Sequence, residues 1–191
     1  MEKSLTSNES LAIITEMIRK AKRETVGDGG FQMLLWGWVV AICNFGHFAL
    51  EKLNYEAPYV VWLLIIPATV ISFIKGYQLS KNAPAKSHLT SVINQLWIII
   101  FVGIIIVLGF MGQLNFHQNP IILILAGIGV FGTGALVQEK LVRFGGIFLI
   151  GAAAVSFFLP VTEQYLLSGL AIVVGYLIPG YHLKKKSLER V

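Results

Sequence analysis

Residues 119–160 read NPIILILAGIGVFGTGALVQEKLVRFGGIFLIGAAAVSFFLP, two apolar stretches separated by a short charged turn. Each stretch has close to the roughly 20 residues that an α-helix needs to cross about 30 Å of hydrocarbon. Backbone amides in lipid must find their hydrogen-bond partners within the same segment, so each stretch is predicted to be a helix. Together they predict a helical hairpin inside a membrane.

Within this hairpin, GIGVFGTG at 127–134 matches the GxGxxG dinucleotide fingerprint. That fingerprint requires a strand–turn–helix and an acidic residue about 20 positions further on. At that distance the chain reads GAAAVSF, without an acid. We therefore interpret the small residues as surfaces on which two helices pack closely in lipid. The pattern predicts a tight contact between spans 4 and 5 through Gly129, Gly132 and Thr133 on span 4 and Gly145, Gly146 and Gly151 on span 5.

The composition of the whole chain agrees with a membrane location. Of the 191 residues, 55% are hydrophobic and 13% are charged, whereas soluble domains carry about 25% charged residues. Mean hydropathy is +0.73. We predict an all-α, polytopic membrane protein with six transmembrane helices, at about 31–50, 57–78, 92–112, 119–138, 142–160 and 163–182.

The distribution of basic residues predicts the orientation of these spans. Lys52 is the one exception among the 15 Lys and Arg residues; all others fall in segments that six spans place on one side of the membrane. Short cytoplasmic segments carry the excess of Lys and Arg, so both termini are predicted to be cytoplasmic. The net charge of +5 is explained by this asymmetry, and we expect no nucleic-acid partner.

The chain is expected to have three parts: a cytoplasmic amphipathic helix with a glycine hinge (1–30), the six-helix transmembrane domain (31–182) and a basic cytoplasmic tail (183–191). The hinge is expected at Gly27, Gly29 and Gly30. In the first part, residues 8–25 contain an apolar arc at helical spacing. This arc is expected to lie in the cytoplasmic headgroup layer, and docking on a partner or a second copy is the alternative. Its members are Leu11, Ile13, Ile14, Met17, Ile18 and Ala21.

Span 1 contains the best candidate site. Cys43, Asn44, His47 and Glu51 lie within about 100° of one helix face. Such residues could ligate a metal or act catalytically, but a polar stripe hydrogen-bonded to neighbouring helices is the favoured interpretation. The predicted span centres contain no Asp, Glu, Lys or Arg, which argues against a proton-coupled transporter with a buried carboxylate. The sequence predicts no cofactor and no metal.

Residues 9–40 carry a further signal. An amphipathic I-x-x-M-I-x-x-A-K helix followed by F-x-x-L-L-W-G-W resembles a group of small uncharacterised bacterial multi-pass inner-membrane proteins. The matching residues are Ile14, Met17, Ile18, Ala21, Lys22, Phe31, Leu34, Leu35, Trp36, Gly37 and Trp38. The resemblance implies location in the bacterial inner membrane and the architecture, and it contributes no site residues.

These observations predict a non-enzymatic integral membrane protein with an accessory or regulatory role. Its expected partners are the lipid bilayer and, through residues 8–25, either another protein or a second copy in a homo-oligomer. A small-solute transporter or channel is the alternative, suggested by Pro67 and by the glycine-rich spans 4 and 5. A metal-dependent or intramembrane enzyme that uses His47 and Glu51 is the third hypothesis.

Overall fold

The structure, a computed structural model, describes residues 7–82 and 88–189. Every regular element in these two ranges is helical, which confirms the all-α prediction. The elements are α1 Ser7–Lys52, a 3₁₀ helix Pro58–Leu64, α2 Ile65–Asn82, α3 His88–Gly109, α4 Gln118–Val137, α5 Lys140–Ser156, α6 Val161–Ile172, a π-helical turn Val173–Leu177 and α7 Ile178–Glu189.

Five helical stretches of the described chain are long and apolar enough to cross a membrane. They are Gly29–Lys52, Pro58–Gln78, His88–Gly109, Gln118–Val137 and Val161–Leu188. The length and composition of these helices therefore indicate a membrane protein. The stretch predicted at 142–160 is shorter: α5 has 17 residues, about 26 Å of helix. It ends at Ser156 because the chain turns at Phe157–Leu159, ahead of Pro160.

The tight hairpin predicted for spans 4 and 5 is present. The turn places Gln138 in the left-handed conformation, with φ 63°, and α5 then runs antiparallel along α4. A Cβ atom added at position 146 would lie 2.5 Å from the backbone nitrogen of Phe131 and 2.7 Å from the carbonyl oxygen of Gly127. At Gly134 an added Cβ would lie 2.6 Å from the nitrogen of Arg143. The two backbones are thus close along most of the hairpin.

The glycines that form this contact differ from the predicted set. Gly146 belongs to the contact, but Gly129 faces Trp97 and Ile100 of α3, and Gly132 faces Leu96 of the same helix. Gly145 lies against Gly175, and Gly151 has no neighbour within 4 Å of an added Cβ. Thr133 is buried and accepts a hydrogen bond from Trp97 Nε1 at 3.1 Å. Small residues occur on several faces of α4 and α5, so their helical spacing alone does not indicate which neighbour each face meets.

Helix α1 runs through the predicted hinge. Its backbone is helical without interruption from Ser7 to Lys52, including Gly27, Gly29 and Gly30. Tertiary packing explains the role of Gly30, because a Cβ atom there would lie 3.0 Å from the backbone nitrogen of Lys184 and 3.2 Å from Leu183 Cβ. This glycine therefore allows close approach of α7.

Helix α1 packs antiparallel along the continuous run formed by α6, the π-helical turn and α7. Phe45 contacts Gly169 near one end of the run, and Leu34 contacts Gly180 near the other. Together with the α4–α5 hairpin, these elements form the core, which contains Val130, Leu149, Ala153 and Ala171. Helix α2 packs mainly on α1, and α3 mainly on α4. Both carry many exposed large apolar side chains, as expected for surfaces that face lipid.

Candidate functional site

The four residues predicted as a cluster on α1 make separate contacts. The Cys43 thiol donates to the carbonyl oxygen of Val61 at 3.1 Å, and the Asn44 amide donates to the carbonyl oxygen of Val40 at 2.8 Å. His47 Nε2 lies 3.9 Å from a carboxylate oxygen of Glu51. In residues 7–82 and 88–189, no group of three or more His, Cys, Asp or Glu side chains is placed to hold a metal ion.

His47 is instead part of an aromatic cluster. Trp62, on the 3₁₀ helix, donates through Nε1 to His47 Nδ1 at 3.0 Å. The imidazole stacks on the ring of Tyr165 from α6, with centroids 3.8 Å apart and planes 20° apart. Because Nδ1 accepts a hydrogen bond, the proton of the neutral imidazole is on Nε2, the nitrogen that faces Glu51.

Tyr165 connects this aromatic cluster to α4. Its hydroxyl accepts a hydrogen bond from Gln118 Nε2 at 3.1 Å, and both side chains are buried. The sequence analysis did not identify Gln118, Trp62 or Tyr165 as site residues. The polar pair Gln118–Asn119 directly before Pro120 was a usable signal, as was the spacing of Gln164 and Ser168 by one helical turn.

The described chain also contains a set of side chains with polar atoms that are buried and have no hydrogen-bond partner in the protein. We call these side chains the polar layer. They are Asn44, Glu51, Gln118, Asn119, Ser156, Gln164 and Ser168. Apart from Glu51, each is 6% exposed or less.

Helix register brings the polar layer to one end of the bundle. Phe45 contacts Gly169, so Asn44 and Ser168 lie at a similar depth on α1 and α6. The register of the hairpin, with Phe131 beside Gly146, places Asn119 at the start of α4 opposite the end of α5, where Ser156 lies. The bond between Gln118 and Tyr165 joins the two halves. Four helices therefore contribute polar groups to the same zone.

An ion pair marks the surface beside this zone. Lys52 Nζ lies 2.6 Å from Glu163 Oε1, and the two side chains are 53% and 36% exposed. An ion pair this exposed contributes about 0–1 kcal/mol to the stability of the fold. It marks this end of the bundle and adds little to its stability. Asn44 lies eight residues below Lys52 on α1, about 12 Å along the axis. We call the end of the bundle that carries the Lys52–Glu163 ion pair the Lys52 end.

The energetic cost of its unpaired polar atoms distinguishes the polar layer from ordinary helix packing. A buried donor or acceptor left without a partner costs about 1–3 kcal/mol, and nearly all such groups in native proteins are satisfied by protein or by ordered water. Seven of the eight atoms of this kind in the described chain belong to the polar layer; the other is Arg143 Nε. This arrangement is suited to binding water or a small polar molecule between the helices.

The opposite end of the bundle carries a compact ionic cluster. Glu139, in the α4–α5 turn, has a side chain that is 6% exposed. Lys186 Nζ lies 2.6 Å and 2.8 Å from its two carboxylate oxygens, and His182 Nε2 lies 3.8 Å from Oε2. The cluster holds α7 against the α4–α5 hairpin. We call the end of the bundle that carries this cluster the Glu139 end.

No family model, no curated protein and no solved structure matches the chain. The resemblance of residues 9–40 to a group of bacterial inner-membrane proteins therefore stays a prediction.

Proposed function

We propose that this protein is a non-enzymatic accessory or regulatory protein of the bacterial cytoplasmic (inner) membrane, with six spans and both termini in the cytoplasm. One observation carries the proposal: α1 continues from a membrane-length stretch, Gly29–Lys52, into the amphipathic segment without a break. A surface for a cytoplasmic partner is thus built directly onto a transmembrane helix.

Two contacts support six spans and cytoplasmic termini. Gly30 lies beside Leu183 and Lys184, so the start of the first span and the end of the last lie on the same side of the bundle. Helix α5 returns along α4, as the contact between Gly127 and Gly146 requires. The first contact requires an even number of crossings. The second makes α5 a crossing of its own, so α5 counts as a short fifth span and the total is six. The positive-inside rule places the shared side in the cytoplasm.

Cysteine labelling in intact cells tests this topology. Phe158, between α5 and α6, is 89% exposed, and Lys184 is exposed on α7. In a Cys43→Ser background, a membrane-impermeant maleimide is expected to label Phe158→Cys in intact cells and Lys184→Cys only after permeabilisation. The reverse pattern would place the C-terminus outside the cytoplasm, and it would contradict the proposed topology.

The continuity of α1 also bears on the role of residues 7–28. They add 22 residues of helix beyond the span, about 33 Å at 1.5 Å per residue. A helix that continues along the axis of a transmembrane span projects away from the bilayer, whereas an interfacial helix lies in its plane. This geometry supports docking on a partner over the headgroup-layer alternative. The apolar arc of the sequence would supply the contact surface.

Substitutions on the two faces of this helix test the docking proposal. We expect Ile14→Asp/Ile18→Asp to abolish the specific co-purification of a partner, or of a differently tagged second copy, because it places charge on the apolar arc. The matched control Glu16→Gln/Arg19→Gln alters the polar face and is expected to retain it. Quantitative mass spectrometry of affinity-purified membranes gives the readout. Identical recovery from both variants, or recovery of no specific partner by the parent protein, would remove the support for docking.

A second candidate is a small-solute transporter, and the polar layer is the observation that favours it. The half of the interior nearer the Glu139 end is apolar and closely packed, however, with Val142 and Leu183 almost completely buried and Gly145 against Gly175. Transport would require these contacts to separate. Solute flux into proteoliposomes distinguishes a transporter from a protein that binds at the Lys52 end alone.

A further inference from the structure

We propose that the polar layer binds a small organic ammonium ion, of the primary-amine type, from the Lys52 end. This site goes beyond the accessory role proposed above; only the side of the membrane from which the ion enters rests on that proposal. Three independent features identify the ligand class: the kind of hydrogen-bonding atom left free, the charge of the site and the aromatic rings beside it.

The free atoms of the polar layer are mainly acceptors. Amide oxygens of Asn44, Gln118 and Gln164 and one carboxylate oxygen of Glu51 have no hydrogen-bond partner in the protein. The hydroxyls of Ser156 and Ser168 can accept or donate, and Asn119 Nδ2 is the remaining donor. A ligand that complements such a set must carry several N–H or O–H donors. A primary ammonium group carries three and accepts none.

The charge of the Lys52 end favours a cation. Lys52 is bound to Glu163, and the nearest partner of the Glu51 carboxylate is the imidazole Nε2 at 3.9 Å, which is a neutral donor. The negative charge of Glu51 is therefore available to a ligand. Charge-assisted hydrogen bonds are about twice as strong as neutral ones, so a cationic donor is favoured over a neutral one.

The aromatic cluster favours an organic cation. Trp62 and Tyr165 lie with ring centroids 6.5 Å apart, and His47 lies between them in contact with both. The faces of aromatic rings attract cations, and the apolar surface of such a cluster accommodates an alkyl substituent; the imidazole already covers one face of Tyr165. A bare metal ion fits less well, because the polar layer supplies one carboxylate, and divalent cations in proteins usually require more.

Ligand-dependent thermal stability of the full chain in lipid nanodiscs tests the proposal. The probes are methylammonium, tetramethylammonium, sodium and potassium chlorides at equal ionic strength. Methylammonium is expected to raise Tm in a saturable manner, because a ligand that binds the folded state stabilises it by mass action. Tetramethylammonium lacks N–H donors and is expected to have no such effect.

Two variants make the test specific. Glu51→Gln is expected to weaken methylammonium binding at least tenfold, whereas the matched control Glu56→Gln, an exposed acid in the following loop, should bind like the parent. Ser168→Ala removes a buried hydroxyl that has no partner. It is expected to raise the Tm of the ligand-free protein and to reduce the methylammonium shift. If Ser168 had only a structural role, Ser168→Ala would not raise the Tm of the ligand-free protein and at the same time reduce the methylammonium shift.

Each contrary result overturns the assignment. No saturable shift with methylammonium indicates that the polar layer holds only water. A shift with sodium or potassium alone indicates an alkali-metal site, and an equal shift with tetramethylammonium indicates a cation–π site without hydrogen bonding. These measurements do not depend on orientation or on a partner, so they can fail while the accessory role stands, and the reverse also holds.

Discussion

Replacing Gly146 by leucine is expected to prevent stable folding of the bundle. A Cβ atom at this position would lie 2.5 Å from the backbone nitrogen of Phe131 and 2.7 Å from the carbonyl oxygen of Gly127, and backbone atoms cannot rotate away as a side chain can. Overpacking a core usually costs about 1–3 kcal/mol. Here two helices must separate, so we expect a loss of at least about 3 kcal/mol. The measurement is the yield of monodisperse protein in detergent, followed by its Tm.

Neighbouring glycines provide graded controls for this prediction. Gly151→Leu lies on the same helix with no neighbour within 4 Å of its Cβ, and it is expected to behave like the parent protein. Gly132→Leu meets the end of the Leu96 side chain at 2.8 Å, which can move, so its loss should be intermediate. Equal stability of Gly146→Leu and Gly151→Leu would show that the α4–α5 contact does not depend on Gly146.

Replacing Lys186 by methionine is expected to cause the second largest loss of stability. The Glu139 carboxylate is almost fully buried, and in the described chain the other side chain that reaches it is His182, whose Nε2 lies 3.8 Å from Oε2. Removing one member of a buried ion pair costs about 3–5 kcal/mol because the other charge stays buried. Lys186 is 29% exposed, so we expect the lower limit, about 3 kcal/mol. SDS titration in mixed micelles, followed by tryptophan fluorescence, measures the free energy of unfolding.

The controls separate the buried charge from general effects of the tail. Lys184→Met removes an exposed charge of the same helix and should change stability little. Glu139→Gln should cost less than Lys186→Met, because the ammonium left behind can extend into water. The double variant should be more stable than Lys186→Met alone, since no carboxylate then remains buried. A double variant that is less stable than Lys186→Met would argue against this account.

Much of the fold could be predicted because lipid imposes strong local rules. Apolar stretches about as long as a bilayer is thick identified the helices, and the very short turn at Glu139 required α4 and α5 to be neighbours. Neither rule specifies which face of a helix meets which partner. Gly129 and Gly146 have the same kind of sequence environment, yet one packs on the side chains of α3 and the other on the backbone of α4.

The site could be predicted only where its residues share one helix. Asn44, His47 and Glu51 were found through their spacing on α1, since residues three or four apart lie on one face. Gln118, Gln164 and Ser168 are far from them in the chain, and their depth is set by the antiparallel registers of two helix pairs. Those registers depend on close contacts such as Phe45 with Gly169, which hydropathy does not encode.

The continuity of α1 has a mechanical consequence. Asn44 and Glu51 lie on the same helix as Ser7, so α1 acts as a lever that contacts α7 at Gly30. From Gly30 to Ser7 this arm of the helix is about 35 Å long. A tilt of α1 by about 5° would therefore displace Ser7 by about 3 Å. Small rearrangements among the membrane helices are thus converted into larger displacements at the far end of this arm.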